Sequence, residues 1–147
     1  MQSVLTILKS KTRDVEFELQ IPDSIAIMGN ITGLNQIVMN LMSNSLDAFD
    51  KPQKKITIAC EQQSERIHFI FADNGSGMPQ AVIDRIFDPF FTTKEVGKGT
   101  GLGMHIVAKE IEKHGGKISV TSVQGEGTKF SIELPLGSEE SQLRSAA

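Results

Sequence analysis

The sequence predicts an α+β domain, built as a two-layer α/β sandwich. Short runs that alternate apolar and polar residues recur along the chain: VEFELQI, KKITIAC, RIHFIFAD, KISVTSV and TKFSIELP. Alternation of that kind marks a half-buried strand. Two longer stretches, opening after Gly29-Asn30 and after Gly101, place apolar residues at three- and four-residue steps, the period of a helix with one buried face. Helices and hairpins are mixed rather than strictly alternating, which favours two layers over a βαβ succession. At 147 residues, with 39% hydrophobic and 22% charged content, the chain has the size and composition of one globular domain.

Each element has a local reason. Residues 2–9 (QSVLTILK) read as a short helix or a connector from something upstream. A strand over 15–21 is stopped by Pro22, and IAIM (25–28) reads as a short second strand. Gly29-Asn30 then opens the long helix, whose buried face is Leu34, Ile37, Val38, Leu41, Ser45 and Ala48. Residues 54–60 and 66–73 form a hairpin, and Pro79 suits the first turn of a helix over 79–86. From Phe87 to Thr100 nothing is periodic, and a loop of about 14 residues is uncommon in a compact domain unless it has a task. Helix 102–114 follows, ended by Gly115-Gly116. Strands 117–123 and 128–135 turn at Gly125 and Gly127, and the polar residues from Gly137 onward read as a disordered tail.

Composition narrows function. A net charge of -3 gives no footing for a nucleic-acid groove. Cys60, the single cysteine, excludes an intrachain disulfide. No apolar run reaches membrane-spanning length and no signal peptide opens the chain, so a soluble, cytoplasmic domain without membrane contact is expected.

Three segments invite chemistry. In TKEVGKGTGLGMH (93–105), glycines crowd the approach to a helix, leaving unpaired N–H groups at the positive end of its dipole, which suits an anion. The segment is not a P-loop: Thr92 stands where the first glycine belongs and Gly99 where Ser or Thr belongs. A flexible loop without a ligand is the plain alternative. In NLMSNSLDAF (40–49), Asn40 and Asn44 lie four apart with Asp47 on the same stripe. Their amide oxygens suit Mg²⁺, a hard cation; a polar stripe bonded to a neighbouring loop is the alternative. In FADNGSGMP (71–79), a strand ends in Asp73, whose carboxylate can accept from an exocyclic amine, while Gly75 and Gly77 would let a flat ring approach. An ordinary turn would look the same.

The order of these segments is more specific than any one of them. An Asn-rich helix, D-x-G-x-G after a strand, F-D-P-F-F-T-T-K, then G-x-G-x-G-x-G entering a helix, closed by HGGKISVTSVQGEGTKFSIELP, resembles the ATP-binding domain of sensor histidine kinases, in particular a nitrogen-regulation-like branch. That domain shares a superfamily with gyrase B subunits, ninety-kilodalton heat-shock chaperones and mismatch-repair ATPases. The resemblance covers about Val15 to Pro135. It implies the Bergerat fold, with a mixed five-stranded sheet covered on one face by about three helices. It also implies ATP and Mg²⁺ as ligands. Asn40 and Asn44 match the asparagine box that holds Mg²⁺, with Asn44 the preferred direct ligand. Asp73 matches the aspartate that bonds adenine, Gly77 and Met78 the approach to the base, Ile86 its wall, and Thr128 a threonine sharing a water with Asp73 and the base. Phe87 to Lys94, including Thr93, match the phenylalanine box. Gly99, Thr100, Gly101, Leu102 and Gly103 match the second glycine box, whose amides meet phosphate, and the segment between is a mobile lid.

One position departs from the common pattern: Asp47 stands where many members carry a basic residue that touches phosphate. Lys94 and Lys98 are then the candidates for neutralising that charge. An ATP-hydrolysing switch of the gyrase or chaperone type would carry a Glu as general base where this chain has Asn40, an amide. That favours the kinase reading, with an anti-sigma-factor-type serine kinase as a weaker third. None of His68, His105 and His114 has the acidic follower of a phosphoacceptor, so no catalytic residue is assigned within the chain. The expected organisation is a linker over 1–12 from an absent helical hairpin, an ATP-binding domain over 13–136 and a tail over 137–147. The expected partners are a phosphoacceptor histidine hairpin and, in the full system, a response regulator. The isolated domain should be monomeric, and anchorage of a parent protein in a membrane is left open.

Overall fold

The alternating runs pair into one sheet. The computed structural model describes residues 12–22 and 31–135. Its strands are β1 (Val15–Gln20), β2 (Lys54–Gln63), β3 (Arg66–Asp73), β4 (Lys117–Val123) and β5 (Gly127–Pro135), in the spatial order β1-β2-β3-β5-β4. β1 runs parallel to β2 and every other neighbour is antiparallel. Three helices, α1 (Ile31–Ala48), α2 (Gln80–Ile83) and α3 (Gly103–Lys113), complete the described residues. Parallel pairing of β1 and β2 demands a crossover, and α1 lies within it.

Register explains the core. Leu19, Ile58, Phe71, Phe130 and Val120 form one row across the sheet, and Cys60, Phe69, Ile132 and Ile118 form the next. Directly paired residues share a face, so these rows make one apolar surface. Ile37, Leu41 and Met42 of α1 and Met104, Val107 and Ile111 of α3 join it in one cluster. Met42, Ile56 and Val107 are fully enclosed at 0% exposure, and burying such a side chain contributes about 1.5–3 kcal/mol. The opposite face carries Glu18, Thr57, Ala72, Lys129 and Thr121 in a single largely polar row.

α3 ends in a Schellman motif. The Gly116 N–H donates to Ile111 O (2.9 Å) and the Gly115 N–H to Glu112 O (2.9 Å), with Gly115 at φ 74.

Some boundaries move. The helix expected over 79–86 spans only Gln80–Ile83. Beyond it the chain tightens into i−3 turns, with the Arg85 N–H on Val82 O and the Asp88 N–H on Arg85 O, both 3.0 Å, just before Pro89 biases Asp88 away from helix. β2 runs past Cys60 to Gln63, because Glu61, Gln62 and Gln63 find partners in His68, Ile67 and Arg66. Ser64, at φ 57, makes the turn that lets them meet. The connector over 2–9, the strand over 25–28, the Gly29-Asn30 opening and the tail from 137 lie outside the described residues, as does the Leu34 side chain.

Candidate functional site

The helical period sets one wall of the site. Ile37, Leu41 and Ser45 seat α1 on the sheet. That leaves Asn40, Asn44 and Asp47 on the adjoining stripe, where they line a cavity of about 690 Å³. The strand ends supply the floor through Asp73, Thr128 and Phe130. Ser76, Gly77, Met78, Val82 and Ile86 form a second wall. Thr93, Lys94, Lys98, Gly99, Thr100 and Gly101 cover the mouth, and α3 begins at the cavity with Gly103 and Met104.

Asp73 is the most constrained polar group. It closes β3, paired with Ile56 on one side and Thr128 on the other. Its Oδ2 accepts from the Ser45 hydroxyl (2.8 Å) and its Oδ1 from the Gly75 N–H (2.9 Å). Ser45 is 1% exposed, so this hydroxyl serves the carboxylate and not solvent. Beside it, the Ser122 hydroxyl accepts from the Met78 N–H (2.8 Å) and donates to Gly127 O (2.9 Å). Thr128 Oγ1 lies 2.9 Å from the Ser122 oxygen. With the Ser122 proton committed to Gly127, Thr128 donates and keeps its own lone pairs free.

Asn40 contrasts with this. Its Nδ2 is buried without a hydrogen-bond partner, while its Oδ1 faces the bare Cα of Gly103, where a Cβ would stand 3.4 Å away. A buried amide nitrogen left unpaired costs free energy unless a ligand completes it. Asn44 is half-buried on the same wall. Among the described residues no cluster of three His, Cys, Asp or Glu is arranged to hold a metal.

Two site glycines have a packing reason to lack a side chain. A Cβ on Gly77, at φ 69, would strike the Val123 carbonyl, and one on Gly75 would stand 2.8 Å from Ala48 O. Neighbouring backbone by itself excludes side chains there, and Gly77 also lines the cavity. Gly101, at φ 68, packs against the backbone of Phe90, itself at φ 66. Around the Cβ position of Gly97, at φ 86, nothing lies within 4 Å. Gly75 and Leu102 are the two sequence-derived candidates that do not line the cavity. Gly75 acts through its N–H on Asp73, and the carbonyl of Leu102 accepts the Ile106 N–H (2.8 Å) at the start of α3.

The lysines separate clearly. Lys94 Nζ reaches Asp47 Oδ2 at 2.5 Å, while Lys98 turns to Glu95 at 3.0 Å with both side chains more than 70% exposed. The histidines serve structure: His105 Nδ1 lies 3.2 Å from Phe87 O, His114 Nδ1 lies 2.6 Å from Glu110 O, and His68 faces Glu133 on the outer sheet surface. Away from the cavity, burial pushes the Cys60 thiol above its usual pKa.

Sequence reasoning missed Ser45 as a functional group, reading it only as part of the buried face, and missed Ser122 altogether. A serine inside an otherwise apolar helical stripe is the signal that marks Ser45.

Residues 29–138 match the model of the histidine kinase-, DNA gyrase B-, and HSP90-like ATPase family. The chain belongs to that family. It is 34% identical over 129 residues to the sensor histidine kinase ZraS of Salmonella typhi, covering 86% of this chain and 27% of that one. It is 38% identical over 113 residues to sporulation kinase A of Bacillus subtilis, covering 77% of this chain and 18% of that one. The chain thus spans about a quarter or less of these curated relatives. Its fold is that of a histidine kinase catalytic domain. The mycobacterial sensor histidine kinase MprB superposes with a TM-score of 0.80 at 26% identity over 91% of each chain. The catalytic domain of histidine kinase ThkA superposes with a TM-score of 0.79 at 30% identity, covering 91% of this chain and 90% of that one. No helix among the described residues is long and apolar enough to cross a membrane.

Proposed function

We propose that this ATPase-family domain binds ATP with Mg²⁺ and donates the γ-phosphoryl group to a histidine on a separate helical hairpin, as the catalytic half of a cytoplasmic two-component sensor kinase. The observation that carries the reading is the Asp73 carboxylate, immobilised by Ser45 and Gly75 on the cavity floor. A carboxylate fixed in this way accepts from an exocyclic amine without reorganising, so adenine recognition is prepaid. Thr128, with free lone pairs on the neighbouring strand, is the second polar contact for the base. Val82, Ile86 and Met78 give the ring its apolar walls.

The amides of α1 fit Mg²⁺. An amide oxygen from Asn44, supported by Asn40, with phosphate oxygens and water as the remaining ligands, is the donor set this small hard cation accepts. The unpaired Asn40 amide beside the bare Gly103 fits a group that arrives with the nucleotide. When bound, the ion would offset phosphate charge. The N–H groups at the start of α3 and the Gly99–Gly103 backbone face the same charge.

No carboxylate general base stands at position 40, so activation of water by that route is disfavoured relative to transfer onto another protein. Transfer then rests on positioning and charge stabilisation, with the acceptor and its base on the partner. In the complete system a response regulator would receive the phosphoryl group.

Calorimetric titration with ATP–Mg²⁺, followed by radiolabelled ATP in mixtures with sensor-kinase hairpin domains, tests this. Nucleotide should bind, the chain alone should label weakly, and acid-labile, base-stable phosphate should appear on a cognate hairpin. Failure to bind ATP, or rapid phosphate release from the chain alone, would overturn the reading.

A further inference from the structure

We infer that Lys94 is the residue that meets the nucleotide phosphates, and that Asp47 is its positioning residue, holding the ammonium at the α1 wall until phosphate displaces it. This deepens the proposed function and rests on it.

The geometry separates the two lysines that sequence left equivalent. Lys98, though at the cavity mouth, pairs with Glu95 within the loop itself, both side chains largely exposed. Lys94 instead crosses from the loop to α1 and pairs with Asp47, 47 residues away in sequence. Its stem lies over Gly99, where a Cβ would come within 2.9 Å of Lys94 Cδ, so the missing side chain at Gly99 opens the route. Its backbone N–H is held by the Thr92 hydroxyl at 3.0 Å. The ammonium therefore stands at the cavity wall that carries Asn44, one helical turn from Asp47.

Asp47 alone would repel a triphosphate. Paired with Lys94 the wall is locally neutral. The pair is also easily broken, since its side chains are 36% and 52% exposed and exposed ion pairs are weak. A triphosphate offers more negative charge and more acceptor oxygens than a single carboxylate, so it outcompetes Asp47 for the ammonium. Adenosine, which has no phosphate, does not engage the exchange.

The test measures dissociation constants of the intact chain for ATP–Mg²⁺ and for adenosine. Lys94→Met should weaken ATP about tenfold, the scale of one charge-assisted hydrogen bond. Asp47→Asn should tighten ATP about threefold by removing the competitor, and Asp47→Glu should restore native affinity. Adenosine affinity should stay constant across the series, which also reports a folded site. Lys98→Met should cost ATP less than Lys94→Met. If Asp47→Asn weakens ATP, or if Lys94→Met weakens ATP and adenosine alike, the exchange is refuted while the nucleotide site stands. A native chain that binds neither ligand refutes the site and the exchange together.

Discussion

The sheet side of the cavity and the loop side are built on opposite terms. On the sheet side, both Asp73 oxygens are engaged, Ser122 makes bonds with Met78, Gly127 and Thr128, and Ser45 is 1% exposed. On the loop side, Val96 is wholly exposed, Phe90 is 75% exposed, and nothing lies within 4 Å of the Cβ position at Gly97. Among the described residues, the ion pair of Lys94 with Asp47 ties the loop to α1. The contrast teaches how one cavity can serve two demands. Under the proposed function, adenine would meet the side already held by hydrogen bonds, and phosphate the side with few packing contacts.

The most severe way to break the contrast is Asp73→Asn. It replaces one carboxylate oxygen with an NH2 donor, so the side chain can no longer accept from both Ser45 and Gly75 and loses its charge. ATP affinity should fall about a hundredfold, near 3 kcal/mol, while the far-ultraviolet circular dichroism stays native. Native affinity in that variant would mean the floor is not the recognition element. Alanine at glycines compares the two sides directly. Gly77→Ala drives a methyl group into the Val123 carbonyl and should cost about 2–3 kcal/mol in urea unfolding. Gly97→Ala meets open space and carries only the left-handed backbone penalty, about 1–2 kcal/mol. Equal losses would erase the distinction. Ser45→Ala is nearly isosteric and should weaken ATP about fivefold, close to 1 kcal/mol, through the unanchored carboxylate.

The smallest effect lies far from the cavity and serves as a control. Hydrogen bonds from Lys54 and from Lys55 hold the Asp14 and Glu18 carboxyls below their ordinary values, and Glu18 raises Lys55. A depressed carboxyl pKa stabilises the fold above its ordinary value, and that contribution disappears as pH falls through the folded-state value. The raised Lys55 contributes below the ordinary lysine range and loses that contribution in strong alkali. Acidification below the usual carboxylate range should therefore slightly lower the protection of β1 amides relative to their intrinsic exchange rates at the same pH, with β5 unaffected.

Much of this architecture could be read in the residues. Alternation marked the strands because the sheet has one apolar face and one polar face, as the exposure of every second residue in β4 records. The Asn40, Asn44 and Asp47 stripe was visible because helical neighbours are close in sequence. Other features depend on contacts across long stretches of chain. Ser45 meets Asp73 from 28 residues away, and while a serine in an apolar stripe hints at a task, nothing local names the partner. Glu61, Gln62 and Gln63 look like turn residues, and only their antiparallel partners make them strand. Sequence does not reveal the Ala48 and Val123 backbone that packs against Gly75 and Gly77. Lys94 and Lys98 were inseparable until their different partners were seen.

The pairing of Asp73 with Thr128, and of Thr128 with Ser122, has a thermodynamic consequence. These three residues come from three strands and adjoin only when the central sheet is assembled, so an unfolded chain offers adenine nothing. Binding and folding are then linked equilibria. Nucleotide at a hundred times its dissociation constant should raise the unfolding free energy by about 2.7 kcal/mol, and the melting temperature should become a gauge of occupancy.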